Sequence, residues 1–238
     1  MSDLPYDIIT FDCYGTLIDW EAGIGEAFEI EARRLGLTPD RSEILRVYHE
    51  VEPLIQGREY YTYRRVLTET ARRTADRLGW ALPDDRNAFL VESLPTWKPF
   101  PDTNPALERF VRAGFRLGIL SNTDDDLLRL TRKHFTVDFD VVITAQEVRS
   151  YKPAPSHFLQ ARSKIGCDWK TRWLHAAQSY FHDVQPSRAL GHTVAWVNRL
   201  HEPAPVVSPT TLEVYDLTGL ADAVIPRRSV DVRVNGGE

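Results

Sequence analysis

Five side chains in this sequence could do chemistry together. Asp12 and Asp183 supply carboxylates, Lys152 an ammonium, and Thr16 and Ser121 hydroxyls. A carboxylate can attack an electrophilic centre and form an ester, dividing one hard displacement into two easier steps. A lysine beside it would hold it ionised and oriented, because a nearby positive charge lowers a carboxylate's pKa. The hydroxyls of Thr16 and Ser121 can bond carboxylate oxygens, although turn and capping roles are common for both residue types. Asp183 equally suits the N-cap of a helix running to Leu190. Apart from Asp12 and Thr16, these residues are far apart in the chain, so only the fold can bring them together.

The elements that must do so alternate. Asp7 to Phe11 is a short apolar, β-branched run ending in Asp-Cys-Tyr-Gly-Thr, which reads as a buried strand followed by a turn at Gly15. From about Trp20 to Leu94 no strand is apparent. Apolar residues recur at three or four positions, as in Ile44, Val47, Tyr48 and Val51, with breaks at Gly57 and Pro83. This predicts four helices, over 21–35, 41–55, 60–78 and 84–94. After Pro99 and Pro101, strand candidates at 115–120, 139–143, 173–176 and 193–197 alternate with helix candidates at 106–113, 125–134, 156–165 and 183–190, with Gly191 as the last one's stop signal. Residues 200–211 read as a proline-rich loop and the tail after Arg227 as mobile. The prediction is an α/β protein, a Rossmann-like parallel sheet covered by helices on both faces, with an inserted helical domain. Residues 1–17 and 98–238 form the core and 18–97 the insertion. Asp12, Ser121, Lys152 and Asp183 all follow strand candidates, and ligands of open α/β sheets sit at the strands' carboxyl ends.

The bulk properties exclude several classes. A net charge of -5 over 238 residues does not suit a nucleic-acid binder. No apolar run approaches the ~20 residues needed to span a bilayer, and Met1 to Pro5 lacks a signal peptide's regions. Two cysteines, Cys13 and Cys167, are too few for a disulfide framework or a zinc cluster. The expectation is a cytoplasmic enzyme with no membrane partner. Strand alternation should turn Cys13 away from Asp12 and into the core.

Four segments together carry a resemblance. Phe11-Asp12-Cys13-Tyr14-Gly15-Thr16-Leu17, Leu120-Ser121-Asn122, Tyr151-Lys152-Pro153 and Gln178-Ser179-Tyr180-Phe181-His182-Asp183 resemble, in order and spacing, the four motifs of the haloacid dehalogenase superfamily. The helical insertion falls where that family places its cap. The resemblance spans about residues 6 to 225 and implies that Asp12 is the nucleophile. Superfamily phosphatases carry a second aspartate two residues after the nucleophile, whereas this chain has Tyr14, as in the type II 2-haloacid dehalogenase branch. Gln178 stands where metal-dependent members use an acidic magnesium ligand, and magnesium usually takes one or two carboxylates. No cofactor or metal is therefore expected.

The implied reaction is hydrolytic removal of halide from a short 2-haloalkanoic acid, giving the 2-hydroxy acid of inverted configuration. Asp183 would help activate water, and Asn122, Tyr14 and Tyr180 would bind substrate or halide. The chain departs from the pattern at three places. Ile55 stands where dehalogenases place a halide-binding arginine, so Arg58, Arg64 and Arg65 are its candidate replacements. Tyr180 stands where an asparagine is usual, and Phe158 where a tyrosine is usual. His182 could touch the site, while His175, inside a strand candidate, reads as a buried structural residue. Trp20, Tyr60, Tyr61 and Tyr63 could line a pocket between cap and core. A magnesium-dependent phosphatase and a non-catalytic binding protein are the alternatives. The expected partner is a halogenated small molecule, and a homodimer is compatible with the reading.

Overall fold

Ile8-Ile9-Thr10-Phe11 has no polar face to turn toward water, and it forms the central strand. In the computed structural model, which describes residues 4–57, 59–203 and 211–226, β1 (Ile8–Phe11) is completely buried. It pairs on one side with β2 (Arg116–Ser121) and on the other with β4 (Trp173–Ala177). β3 (Val141–Thr144) flanks β2, and β5 (Thr193–Val197) and β6 (Thr211–Val214) extend the opposite side. Among the described residues this gives a six-stranded sheet in the order β3-β2-β1-β4-β5-β6, every pair parallel. The connections reverse direction at β1, so a crevice opens at the carboxyl ends of β1, β2 and β4. Phe11 is level with Ile119 and Ala176. Asp12 therefore emerges at the centre of that edge.

Four helices leave the sheet after β1: α1 (Trp20–Arg34), α2 (Arg41–Gln56), α3 (Tyr63–Arg77) and the short α4 (Phe89–Ser93). Asp19 caps α1 by accepting from Ala22 N at 3.1 Å, and Asp40 caps α2 by accepting from Ser42 N at 3.0 Å. The buried stripe of α2, Ile44, Val47, Tyr48, Val51 and Ile55, follows helical spacing and packs into the helical insertion. The chain leaves and re-enters the core through adjacent segments, where Asp19 N donates to Lys98 O at 2.9 Å and Phe100 N to Leu17 O at 3.1 Å.

α3 is tied to the core. Its preceding residue, Thr62, makes no side-chain cap. Instead Asp124, buried after β2, accepts from Tyr63 N at 2.8 Å and Arg64 N at 2.9 Å. Tyr151 Oη also donates to the carbonyl of Tyr61 at 2.9 Å.

The remaining helices are α5 (Thr103–Ala113), α6 (Asp125–Thr131), α7 (Ala145–Val148), α8 (Ser156–Ile165), α9 (Gln185–Ala189) and α10 (Leu217–Val224). Several expectations are corrected. The helix expected over 84–94 is a 3-10 turn at Asp84–Arg86 followed by α4. Asn87 donates its amide to Asp84 O at 3.0 Å, a local bond that competes with helix propagation. The helix expected from Asp183 begins as a π-helical turn at Tyr180–Val184, so Asp183 is not its N-cap; α9 follows and Gly191 closes it with φ 75°. β6, α7 and α10 were not anticipated. The tail after Arg227, most of the 200–211 loop and Arg58 lie outside the described residues.

Candidate active site

The turn after β1 is built around Gly15, whose φ is 96°, a left-handed value that favours glycine. A Cβ there would sit 3.1 Å from Trp20 Nε1 and 3.2 Å from Gln178 Oε1. The turn brings Thr16 back under Asp12. Thr16 Oγ1 donates to Asp12 Oδ2 at 2.9 Å and accepts from Gln178 N at 2.9 Å. Arg199, two residues past β5, donates to the Thr16 carbonyl at 2.9 Å and pairs with Asp102 at 2.9 Å, fixing the turn from outside.

Lys152 reaches Asp12 from the loop before α8. Its three ammonium protons are fully used: Asp12 Oδ1 at 2.8 Å, Leu120 O at 2.9 Å and Asp183 Oδ1 at 2.6 Å. Asn122 holds the lysine's backbone, donating to Lys152 O at 3.0 Å and accepting from Lys152 N at 2.7 Å. The structure thus joins Asp12, Thr16, Lys152 and Asp183 in one buried cluster. Ser121 does not join it. Its hydroxyl is buried without a hydrogen-bond partner among the described residues, and its carbonyl instead lies 3.1 Å from His157 Nε2. The expected bond from Ser121 to a carboxylate oxygen is not made in this arrangement, where Thr16 and Lys152 supply the donors to Asp12.

The electrostatics differ from simple pairing. Burial raises the Asp12 carboxyl above its ordinary value, and the Asp183 charge adds to that rise; Lys152 and Thr16 pull it down without cancelling it. The sequence had suggested net lowering, and desolvation reverses the sign. For Asp183, burial pushes upward too, but the Lys152 charge and a His175 hydrogen bond outweigh it and hold the carboxyl at about 2. Burial works against the charge on Lys152, yet the two carboxylates keep its ammonium above the ordinary lysine value.

Above this cluster lies a cleft of about 730 Å³ between sheet edge and insertion, lined by Asp12, Asn122, Lys152 and Asp183 and by Tyr14, Tyr180 and His182. Tyr14 Oη and Thr131 Oγ1 are 2.8 Å apart, and Tyr180 Oη accepts from Arg188 at 3.0 Å. Trp20 and Tyr63 line the cleft as expected; Tyr60 and Tyr61 do not, Tyr60 packing against Tyr151 at 5.5 Å. Cys13 is fully buried in the core, as alternation required.

Ile55 is buried in the packing of the insertion. Of its candidate replacements, Arg64 is paired with Asp126, Arg65 stacks over Tyr61 at 3.6 Å, and Arg58 lies outside the described residues. The insertion instead contributes His49, Glu52 and Gln56, which the sequence reading missed. Their spacing of three and four along α2 was the available signal. His49 Nε2 is 3.0 Å from Glu21 Oε1, a hydrogen bond that raises its pKa, and burial pushes Glu52 up to about 7. Among the described residues no cluster of three or more His, Cys, Asp or Glu side chains is arranged to hold a metal ion. None of the described helices is long and apolar enough to cross a membrane.

The family model of haloacid dehalogenase-like hydrolases matches residues 6–202. The chain belongs to that family. The (S)-2-haloacid dehalogenase of Pseudomonas putida is 24% identical over 200 residues, covering 80% of this chain and 84% of that protein. The (S)-2-haloacid dehalogenase of Xanthobacter autotrophicus is 27% identical over 205 residues, covering 82% and 76%. Among solved structures, an L-2-haloacid dehalogenase from Xanthobacter autotrophicus with chloropropionic acid covalently bound superposes with a TM-score of 0.77 at 23% identity, covering 92% of this chain and 98% of that one. A HAD phosphatase from Thermococcus onnurineus gives 0.57 at 23% identity, covering 91% and 97%. The chain thus shares the fold of these hydrolases, a parallel sheet with an inserted helical cap, and is a dehalogenase-like hydrolase.

Proposed function

We propose that this hydrolase cleaves the carbon–halogen bond of short 2-haloalkanoic acids, with residues 18–97 acting as the cap over residues 1–17 and 98–238. The observation that carries the proposal is the state of Asp12, whose two oxygens are held by Lys152 and Thr16 at the floor of a cleft. An oriented carboxylate that faces a cleft is arranged for in-line attack.

A carboxylate oxygen of Asp12 forms a bond to the carbon bearing the halogen, and the carbon–halogen bond breaks with its electron pair leaving as halide. Halide is a stable anion that needs no proton, which suits Tyr14 at a position where phosphatases place an acid. Water then attacks the Asp12 carbonyl carbon and gives a proton to Asp183. The bond between that carbon and the ester oxygen breaks, the departing oxygen takes the proton back from Asp183 to become the 2-hydroxy acid, and the proton left on the new Asp12 carboxyl passes to solvent. The Asp12 carboxylate is regenerated. The first step inverts the substrate carbon and the second leaves it untouched. Lys152 orients both carboxylates throughout, and Asn122, Tyr14 and Tyr180 face the substrate.

The test is halide release from (S)- and (R)-2-chloropropionate, chloroacetate and fluoroacetate with EDTA present. The proposal expects (S)-2-chloropropionate to give (R)-lactate, with Asp12→Asn inactive. Retention of configuration, or release that survives Asp12→Asn, contradicts it.

A further inference from the structure

A line of buried side chains runs along one face of the sheet to the floor of the cleft. Thr10 on β1 and His175 on β4 are register partners, and Trp173 lies two residues before His175, on the same face of the sheet. Trp173 Nε1 donates to Thr10 Oγ1 at 2.8 Å, Thr10 Oγ1 is 2.9 Å from His175 Nδ1, and His175 Nε2 is 3.0 Å from Asp183 Oδ1. Thr10, Trp173 and His175 are all completely buried.

Chemistry sets the direction of each bond. An indole N–H can only donate. The Thr10 hydroxyl, buried and already accepting from Trp173, satisfies its own proton by donating to His175 Nδ1. The imidazole therefore carries its proton on Nε2 and donates it to the Asp183 carboxylate. Asp183 Oδ1 thus holds two donors, Lys152 and His175, while Oδ2 is buried with no partner among the described residues.

We infer that His175 is a positioning residue for Asp183, fixing Oδ1 so that Oδ2 is presented to the water that cleaves the Asp12 ester. The inference rests on the proposed function. A general base must offer a free lone pair in a fixed direction. A carboxylate held by one donor can swing about it; two donors on Oδ1 restrain that motion. His175 differs from Lys152 in a way that makes the role testable. Lys152 bonds both carboxylates, whereas His175 bonds Asp183 and not Asp12. Loss of His175 should slow ester hydrolysis and spare ester formation. The charged and titratable groups around this pair are Lys152, Asp12, His182, His157 and His192, with the Phe158 ring edge-on to His175 at 5.3 Å.

The experiment uses the full chain with (S)-2-chloropropionate and compares His175→Leu, His175→Gln and the wild type. Rapid quench and mass analysis of the Asp12 peptide report ester formation, and steady-state halide release reports turnover. In His175→Leu the rate of ester formation stays within about threefold of wild type, while kcat falls about tenfold to a hundredfold, the loss of one hydrogen bond to a charged group. The ester accumulates, and the acid limb of kcat moves to higher pH because Asp183 loses a donor that lowered its pKa. His175→Gln, which keeps an N–H near the Nε2 position, recovers most of the loss. Should His175→Leu not fold, Thr10→Val, which removes the hydroxyl that fixes the imidazole, must show the same ester accumulation in weaker form. Equal slowing of both steps, no accumulated ester, or His175→Gln no better than His175→Leu overturns the inference. Wild-type turnover in heavy-oxygen water that leaves the Asp12 carboxylate unlabelled refutes the proposed reaction itself, and is read without any variant.

Discussion

Replacing Lys152 with methionine removes the ammonium that separates Asp12 from Asp183 while keeping an unbranched chain in its place. Both carboxylates are buried, and both lose their bond to Lys152 Nζ, at 2.8 and 2.6 Å. Breaking a buried ion pair by deleting one partner typically costs about 3–5 kcal/mol, because an uncompensated charge stays behind. Here two remain, which places the loss at the upper part of that range, about 4–5 kcal/mol near neutral pH. The pH dependence follows from the two carboxyls. In the native protein Asp183 is held at about 2, so it stabilises the fold above the ordinary carboxylate range and that contribution fades as the pH falls through about 2. Without Lys152, burial and mutual repulsion raise both carboxyls above their unfolded values. A carboxyl raised in this way destabilises the fold as pH rises through its folded pKa, so the deficit is largest near neutrality and shrinks in acid. Urea unfolding at about pH 7.5 and about pH 5 measures both quantities through the midpoint and slope. A loss below about 1 kcal/mol, or one that grows on acidification, refutes the reasoning.

Three other outcomes follow. Asp124→Ala strips the two acceptors from the start of α3 and should cost about 1–2 kcal/mol, read as a lower urea midpoint, with protease cleavage of the cap accelerated. Gly15→Ala places a Cβ against Trp20 and Gln178 at a left-handed φ, costing about 1–2 kcal/mol and lowering kcat/KM for any haloacid turned over, checked by melting temperature and kinetics. Asp183→Asn should still form the Asp12 ester but hydrolyse it at least about a hundredfold more slowly, a loss in the range of general-base removal, so that a single burst of halide is released per enzyme.

Much of the fold was legible in the sequence because its signals are local. The β-branched, mostly apolar Ile8 to Phe11 run reads as a buried strand, and the spacing of Ile44, Val47, Tyr48 and Val51 fixed one face of α2. β6 was hidden because Thr211–Val214 is short, carries Glu213 and sits at the sheet edge. The π-helical turn at Tyr180–Val184 was hidden because nothing in its composition separates it from an ordinary helix start. Asp12, Lys152 and Asp183 were readable because each falls after a strand candidate and Thr16 because it shares Asp12's turn, whereas Ser121, placed by the same signal, stays outside the cluster. The sign of the Asp12 shift was not, since desolvation depends on how completely the cluster is covered. His175 was read as structural because its partners, Thr10 and Asp183, meet it only through strand pairing and the turn after β4. Glu52 and His49 stayed unremarked because they face the cleft only once the cap is folded over it.

The central claim is that Asp12 attacks carbon and is itself attacked by water. Multiple turnovers of (S)-2-chloropropionate in heavy-oxygen water, followed by mass analysis of the peptide containing Asp12, test it most directly. The account predicts heavy oxygen in the Asp12 carboxylate, carried into the lactate in later turnovers. Heavy oxygen in the lactate from the first turnover, with Asp12 unlabelled throughout, would contradict it.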